Sequence, residues 1–381
     1  MAPIEIEQVT AIDHAAQQGA TQCNTPAVSG QTDLPSGFPS RLDSAMSWAG
    51  SQYPDPSSYA TILEAEDLKE LDDGLEHFLS LGLAGDLVSK SNFPLQKLSK
   101  KLEAMQHHVY NGRGFALLRG FEVDKYSVED FTTIFLGVQC HIGNKFGRQD
   151  DNGNMLVHII ADNSSPIKAH HHRHSTAPIT FHNEEAGDVI SWLTRNTAAS
   201  GGKCIIASAH TIYNVLAATR PDLIRVLARS DWPFALPRFH CRPVLQHHDG
   251  KVIFNFGRAA LMGSASHPRP ASLPKLTPIQ VEALDAIEAI ACETQLEMQT
   301  APGDIHFINN FAVLHRREGF VDGEATRRHL VRMRLRDDEL GWAIPEELKA
   351  EWDETFSDKG QKLWFIDPMP PGFFPLRKVP N

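Results

Sequence analysis

Cysteine is scarce: Cys23, Cys140, Cys204, Cys241 and Cys292 are the five in a chain of 381 residues, an odd number with no Cys-x-x-Cys. That usage fits neither a disulfide framework nor a thiolate zinc site, and the thiols read as reduced and mostly buried. Long apolar runs are missing as well. No stretch stays apolar for about 18 residues, and Met1-Ala2-Pro3-Ile4-Glu5-Ile6-Glu7 has neither the basic start nor the apolar run of a leader. We therefore expect no membrane helix and a cytoplasmic location. Basic charge is in deficit, with 36 Lys and Arg against 47 Asp and Glu and a net charge of -11. This argues against nucleic acid or an anionic membrane as partner. There is no His-Glu-x-x-His helix of a zinc hydrolase and no Gly-x-Ser-x-Gly elbow, and Cys204 has no evident partner for nucleophilic work.

What is present is enough for a sizeable core, with 41% hydrophobic residues. Residues 1–58 are rich in Ser, Pro, Gly, Gln and Ala and read as a loop-rich arm. No repeat or splitting linker follows, so residues 59–381 read as a single domain with a helical N-terminal part and a C-terminal extension. Leu68, Leu71, Leu75 and Phe78, then Leu95, Leu98, Leu102, Met105 and Val109, recur at the spacing of two buried helix faces. Gly112 to Gly120 predicts the first sheet strand. Ser127-Val128-Glu129-Asp130 and Thr277-Pro278-Ile279-Gln280 are helix starts. Between Ile142 and Ile179 the chain is polar apart from a strand-like Met155 to Ile160. Further strands are expected at Val189 to Leu193, Cys204 to Ala207, Lys251 to Phe256, Ile305 to His315 and His329 to Leu335, with Asp337 to Asn381 as a mixed tail. Many strands with a few covering helices predict a mainly β fold with flanking α-helices, a β-barrel or jelly roll.

Phe181-His182-Asn183-Glu184 carries the chemistry. Read as a strand, its period of two puts His182 and Glu184 on one face, within reach of one metal ion. A lone His-x-Glu occurs by chance in many proteins, so a third ligand is needed. His315 is the best candidate, because Pro302-Gly303-Asp304-Ile305 turns into an apolar strand that would deliver it to the same place. Two histidines and a carboxylate cover one face of an octahedral metal, which suits non-heme Fe(II) and dioxygen. Downstream, the same period puts Arg328 and Arg332 on one face. That face either points into the barrel, where the charges need anionic partners, or belongs to a solvated edge strand with His329, Val331, Met333 and Leu335 facing the core. His170, His171, His172 and His174, split by Arg173, read as a loop before the metal strand, since the triad is complete without them.

Taken in order, Gly114 to Gly120, Phe181 to Glu184, Ser200-Gly201-Gly202, Pro302 through His315 and Arg327 to Arg332 resemble the taurine dioxygenase/TfdA-type and clavaminate synthase-like Fe(II)/2-oxoglutarate oxygenases. The ending Arg334-Leu335-Arg336-Asp337, then Leu340 and Trp342, is similar to fungal members, many of which serve secondary metabolism. The resemblance implies a double-stranded β-helix (jelly-roll) core with Fe(II) on His182, Glu184 and His315. It implies that 2-oxoglutarate chelates the metal while Arg328 pairs with its distal carboxylate, and that Arg332 binds an anionic group of a small amino-acid-like or carboxylate substrate. With O2 as oxidant, hydroxylation of an unactivated C-H is the expected outcome, with succinate and CO2 as coproducts. Oxidative ring closure, for example to an aziridine, and desaturation are the alternatives of the same chemistry, and a non-catalytic metal-binding jelly roll is the alternative of another class.

Two positions depart from the family pattern. Its usual metal carboxylate is aspartate, whereas Glu184 stands here, as in clavaminate synthase-like members; the neighbouring Glu185 is expected to point to the opposite face. A carboxylate ligand disfavours halogenation, which needs that coordination position vacant. Cys204 stands where a Thr or Ser hydroxyl usually assists the distal carboxylate of the cosubstrate, and a thiol is a weak donor.

Overall fold

Two sheets face one another because their strands alternate apolar residues on both sides, so that each sheet buries both of its faces. The computed structural model describes residues 33–161, 174–236, 238–264 and 268–367. Residues 1–32 of the expected arm and the run from His170 to Arg173 lie outside the described residues.

The strands of the two sheets are β1 (Ala60–Ile62), β2 (Phe115–Arg119), β3 (Lys145–Gly147), β4 (Val157–Ile160), β5 (Ile179–His182), β6 (Val189–Asn196), β7 (Cys204–Ser208), β8 (Leu296–Met298), β9 (Ile305–Asn309), β10 (Val313–Arg317) and β11 (His329–Arg336). The larger sheet runs β1-β2-β9-β6-β11, and the outer edge of β11 pairs with β4 along one half and β3 along the other. The smaller runs β8-β7-β10-β5. All these pairings are antiparallel except β1 with β2. The arrangement is a jelly roll with flanking helices.

Side-chain alternation assigns the layers. Between the sheets lie Phe115, Leu117, Ile190, Trp192, Ile308 and Leu330 from the larger and Cys204, Ile206, Leu296, Met298 and Val313 from the smaller. The outer face of the larger sheet, including Leu193, Phe307, Val331, Met333 and Leu335, packs on the helices Ala65–Ser80, Leu98–Tyr110 and Val128–Gln139. Phe181, Ile205, Ala207 and Leu314 turn outward from the smaller sheet onto the helices Ala209–Thr219, Pro221–Leu227 and Pro278–Thr294. Each fully buried Leu or Phe in these layers contributes about 1.5–3 kcal/mol. The Thr277 capping box forms in full, with Gln280 N donating to Thr277 Oγ1 and Thr277 N to Gln280 Oε1. Residues 33–58 form only short 3-10 turns, and they place Met46 and Trp48 in the core. No helix among the described residues is long and apolar enough to cross a membrane.

The structure differs from the sequence reading in four places. The single strand expected from Ile305 to His315 is two strands in different sheets. Asn309 breaks it: its Oδ1 accepts from Phe311 N at 3.0 Å, an Asx turn that ends β9 and sends the chain across to β10. The polar stretch after Ile142 contains β3, too short to show a period. The expected tail contains the helix Glu346–Thr355, which buries Leu348 and Trp352. Finally, the solvated reading of β11 fails, since Arg332 and Arg334 are buried on one face and Val331 and Met333 on the other. The turn into β9 requires its glycine. Gly303 has φ of 87°, and an added Cβ would lie 2.4 Å from the Phe121 carbonyl oxygen.

Several histidines are buried in this frame. Burial pushes His141, His210 and His306 down to about 4. All three are neutral when folded, whereas the unfolded chain takes up protons from about pH 6.5 downward. Stability is therefore complete above that pH and is lost progressively as the pH falls toward 4, by roughly 3 kcal/mol for one such histidine. We predict that the urea midpoint drops between about pH 7.5 and pH 5, and that His210→Phe, which keeps a ring beside Trp342, shrinks the drop. An identical drop in parent and variant would remove His210 from the account.

Candidate metal centre and active site

His182 is the last residue of β5 and lies directly across from His315 on β10; on the other side of His315 is Ile206 of β7. Opposed residues in antiparallel strands share a face, so both rings point between the sheets. Their centroids are 4.2 Å apart. Glu184 reaches them by a different route from the expected one. The strand ends at His182, and the loop that follows is held by amides. Glu184 N donates to Asn310 Oδ1 at 2.8 Å, and Asn310 Nδ2 donates to the carbonyls of Glu184 at 3.0 Å and Gly187 at 2.9 Å. Asn183 ties the same loop to its neighbours, accepting from Phe256 N at 3.0 Å and donating to the Asn310 carbonyl.

This loop sets Glu184 Oε1 3.9 Å from His182 Nε2 and 3.8 Å from His315 Nε2. The three side chains each offer a ligand atom within 4.8 Å of the others, and no other such group of three occurs among the described residues. The donor chemistry fits a divalent ion. His182 Nδ1 lies 2.9 Å from the Thr180 carbonyl oxygen, which only a protonated Nδ1 can satisfy, so the Nε2 lone pair is left facing Glu184. Burial, then the neighbouring His315, pushes His182 down to about 4, so it stays neutral and able to ligate. Burial pushes the Glu184 carboxyl up, but the Arg332 charge and then His315 and Arg334 outweigh it and hold the group well below the usual carboxylate range.

Two arginines account for that field. Arg332 Nη1 contacts Glu184 Oε1, and Arg332 Nε donates to Gln149 Oε1 at 3.1 Å. Arg334 Nη2 lies 3.5 Å from Glu184 Oε2 and 3.9 Å from Glu185 Oε2. Glu185, expected on the opposite face, addresses the same guanidinium as its neighbour, because the loop lacks strand alternation. Gln149, Arg334, Asn183 and Asn310 were not assigned from sequence. Arg334 could have been, since it continues the alternation of Arg328 and Arg332; the amides form their contacts across distant segments and leave no local signal.

A second cluster lies between the sheets. Cys204 on β7 is opposite Arg317 on β10, two residues along from the His315 pairing, or roughly 7 Å. Arg328 is 8% exposed, and burial pushes it down to about 10. Its guanidinium lies 5.2 Å from the Phe320 ring centroid, and no described residue accepts a hydrogen bond from it. Arg317 lies over the same ring at 5.0 Å and donates to the carbonyls of Ser175 and Ala177; burial, then Arg328, pushes it down to about 9. Burial pushes the Cys204 thiol up to about 12, so it is present as SH. Gly202, with φ of 73°, leaves room for Arg328: an added Cβ would lie 3.3 Å from its Cδ and Nε. A buried guanidinium with no carboxylate in ion-pair contact, Asp322 acting on it only at longer range, fits the distal end of a dicarboxylate. His174 is buried against β4, its Nδ1 3.0 Å from the Ile160 carbonyl oxygen.

Comparison with known proteins accords with this geometry. Residues 80–334 match the family described as "Taurine catabolism dioxygenase TauD, TfdA family". The chain is 33% identical over 346 residues to the taurine hydroxylase-like protein SAT17 of Stachybotrys chartarum, covering 87% of this chain and 89% of that protein. It is 24% identical over 304 residues to FR-33289 synthase of Streptomyces rubellomurinus, covering 75% and 87%. Among solved structures, asparagine oxygenase in complex with Fe(II), 2S,3S-3-hydroxyasparagine and succinate superposes with a TM-score of 0.59 at 15% identity, over 74% of this chain and 98% of that one. The non-heme iron oxygenase OrfP with Fe and alpha-ketoglutaric acid gives 0.54 at 16% identity, over 73% and 94%. Family membership removes the ground for a non-catalytic jelly roll and brings with it Fe(II), 2-oxoglutarate and O2. The chain belongs to the TauD, TfdA family and is a non-heme Fe(II)/2-oxoglutarate-dependent dioxygenase.

Proposed function

We propose that His182, Glu184 and His315 hold the Fe(II), that Arg328 with Cys204 beside it receives the distal carboxylate of 2-oxoglutarate, and that Arg332 receives an anionic group of the substrate. The reaction is hydroxylation of an unactivated C-H in a small amino-acid-like or carboxylate molecule. The observation that carries this reading is a facial donor set on the smaller sheet together with a buried guanidinium, Arg328, that enters from the facing sheet beside Cys204 and has no carboxylate in ion-pair contact. Ring closure and desaturation would draw on the same oxidant, and no feature of the site favours either over hydroxylation. We place the activity in fungal secondary metabolism. A cytoplasmic location is supported by Cys140 and Cys204, buried and unpaired.

Once bound, iron, 2-oxoglutarate and O2 together supply the oxidant that removes hydrogen from the substrate, with release of succinate and CO2. The protein's own part is to place and to insulate. The Thr180 carbonyl fixes the tautomer of His182, and Asn310 fixes the loop that presents Glu184. Arg328 sets the direction of the cosubstrate by a charge-assisted bond. Trp192, Ile206 and Leu330, buried between the sheets, would keep water from a cosubstrate held between the metal ligands and Arg328. Gln149 holds one edge of Arg332, the group assigned to the substrate.

Anaerobic titration of the iron-loaded protein with 2-oxoglutarate tests the assignment, because the chelate has a weak visible charge-transfer band. We expect the band in the parent, with stoichiometric succinate release under oxygen once a substrate is present. Arg328→Met should raise the 2-oxoglutarate concentration needed by roughly 100-fold, the effect of leaving a buried carboxylate unpaired. Cys204→Thr should lower it about fivefold, since a hydroxyl is the better donor. An unchanged titration in Arg328→Met would sink the cosubstrate assignment.

Asn310→Ala is predicted to weaken iron binding roughly tenfold while the protein remains folded, because the loop carrying Glu184 loses its anchor. Iron content after dialysis and the melting curve check this together. Parent-like iron retention would show that the loop holds its shape without the amide.

A further inference from the structure

One oxygen of Glu184 has two claimants. Oε1 faces both histidine Nε2 atoms, at 3.9 and 3.8 Å, and the same Oε1 is contacted by Arg332 Nη1. Arg334 addresses the other oxygen, Oε2, at 3.5 Å. Arg334 can therefore keep its contact when a metal ion occupies the triad, whereas Arg332 holds the atom that the metal needs. An oxygen with two lone pairs can in valence terms serve both. Charge opposes the sharing: one carboxylate already faces two guanidiniums, and a dication on the same buried oxygen as Arg332 would be repelled with little screening.

We propose that Arg332 and the metal ion exclude one another at Glu184 Oε1, so that metal loading releases Arg332 to serve as an anion receptor. The inference rests on the triad proposed above and adds an order of binding to it. Without metal, Arg332 is occupied by Glu184, and an anionic substrate group finds no guanidinium. With metal, the charge that compensated the carboxylate is replaced by the ion, and Arg332 turns to an external anion. Gln149, bonded to its Nε at 3.1 Å, gives the guanidinium a fixed edge about which to turn. Such coupling is reciprocal: an anion that engages Arg332 tightens the metal by the same factor that the metal tightens the anion.

Two measurements on the full chain test this. In calorimetric titration with Co(II) alone, Arg332→Met should bind about tenfold more tightly than the parent. Arg334→Met, which removes an equal charge at the other oxygen, should gain clearly less. Equal gains would show a general field effect and overturn mutual exclusion, as would unchanged or weaker binding in Arg332→Met. In the second measurement, inorganic sulfate is the anion probe. It should raise the melting temperature of the Co(II)-loaded parent by more than that of the metal-free parent, which sulfate raises only through its general stabilising effect and the other arginines; the metal-dependent part of the shift should vanish in Arg332→Met and persist in Arg328→Met. A shift of equal size without metal, a metal-dependent part that survives Arg332→Met, or one that depends on Arg328 instead, overturns the proposal. The parent comparison needs no variant, so the test holds even where a variant fails to fold. Loss of the oxygenase assignment would look different: the iron protein would then lack the 2-oxoglutarate band, whereas failure of the exclusion alone leaves that band intact.

Discussion

The turn from Asn309 to Ala312, where the chain leaves one sheet for the other, is the constraint on which the site depends. Asn310 N donates to the Asp188 carbonyl at 2.8 Å while its side chain holds Glu184 and Gly187, so both ends of the metal loop hang from one residue. Phe311 stacks on Trp342 and Trp352 at 5.6 and 5.2 Å, and Trp352 Nε1 donates to Asp188 Oδ1 at 2.7 Å. The C-terminal helix is thus part of the active-site support. A displacement of this turn would move His315 and Glu184 together, because one follows it in sequence and the other is bonded to it.

Charge in the interior is distributed in two ways. Around Glu184 opposite charges meet directly, Glu184 against Arg332 and Arg334, with Glu185 as a second carboxylate 3.9 Å from Arg334. Around Phe320 no ion pair forms: Arg317 and Arg328 have carbonyls, a thiol and an aromatic ring as close neighbours, and Asp322, bonded to the Arg328 backbone, acts on the guanidinium only from further away. A fold retains buried cations without an ion-pair partner only at a free-energy cost, which an arriving carboxylate would offset. This asymmetry distinguishes the two charged clusters without reference to any relative, and it is what the proposed division between a metal end and a cosubstrate end draws on.

Much of the site was legible in the sequence wherever it lay on strands. The alternation in β11 put Arg328 and Arg332 on one face, and the run ending in His315 marked the second histidine. The argument for Glu184 assumed a strand geometry that does not occur, since β5 stops at His182 and a loop brings the carboxylate beside the two histidines instead. Legibility fails where contacts join distant segments. Asn310 acts on residues more than a hundred positions earlier, and Gln149 meets Arg332 across 183 positions. The helix Glu346–Thr355 was hidden for another reason: it buries few residues and packs against a loop, so its apolar stripe is weak.

The cysteine at position 204 is the clearest departure from family pattern, and the structure reduces its significance. The thiol is a weak donor, and burial keeps it protonated. In register with it stands Arg317, whose guanidinium shares the Phe320 ring with Arg328. Two guanidiniums thus gather around Phe320, and Arg328 is near enough to act on the Cys204 thiol, where the proposed assignment puts the distal carboxylate. A hydroxyl donating to a carboxylate contributes about 1.5–3 kcal/mol, and the thiol, a weaker donor, supplies only part of that. Under the proposed assignment the charge of Arg328 is untouched by the exchange and still directs the carboxylate.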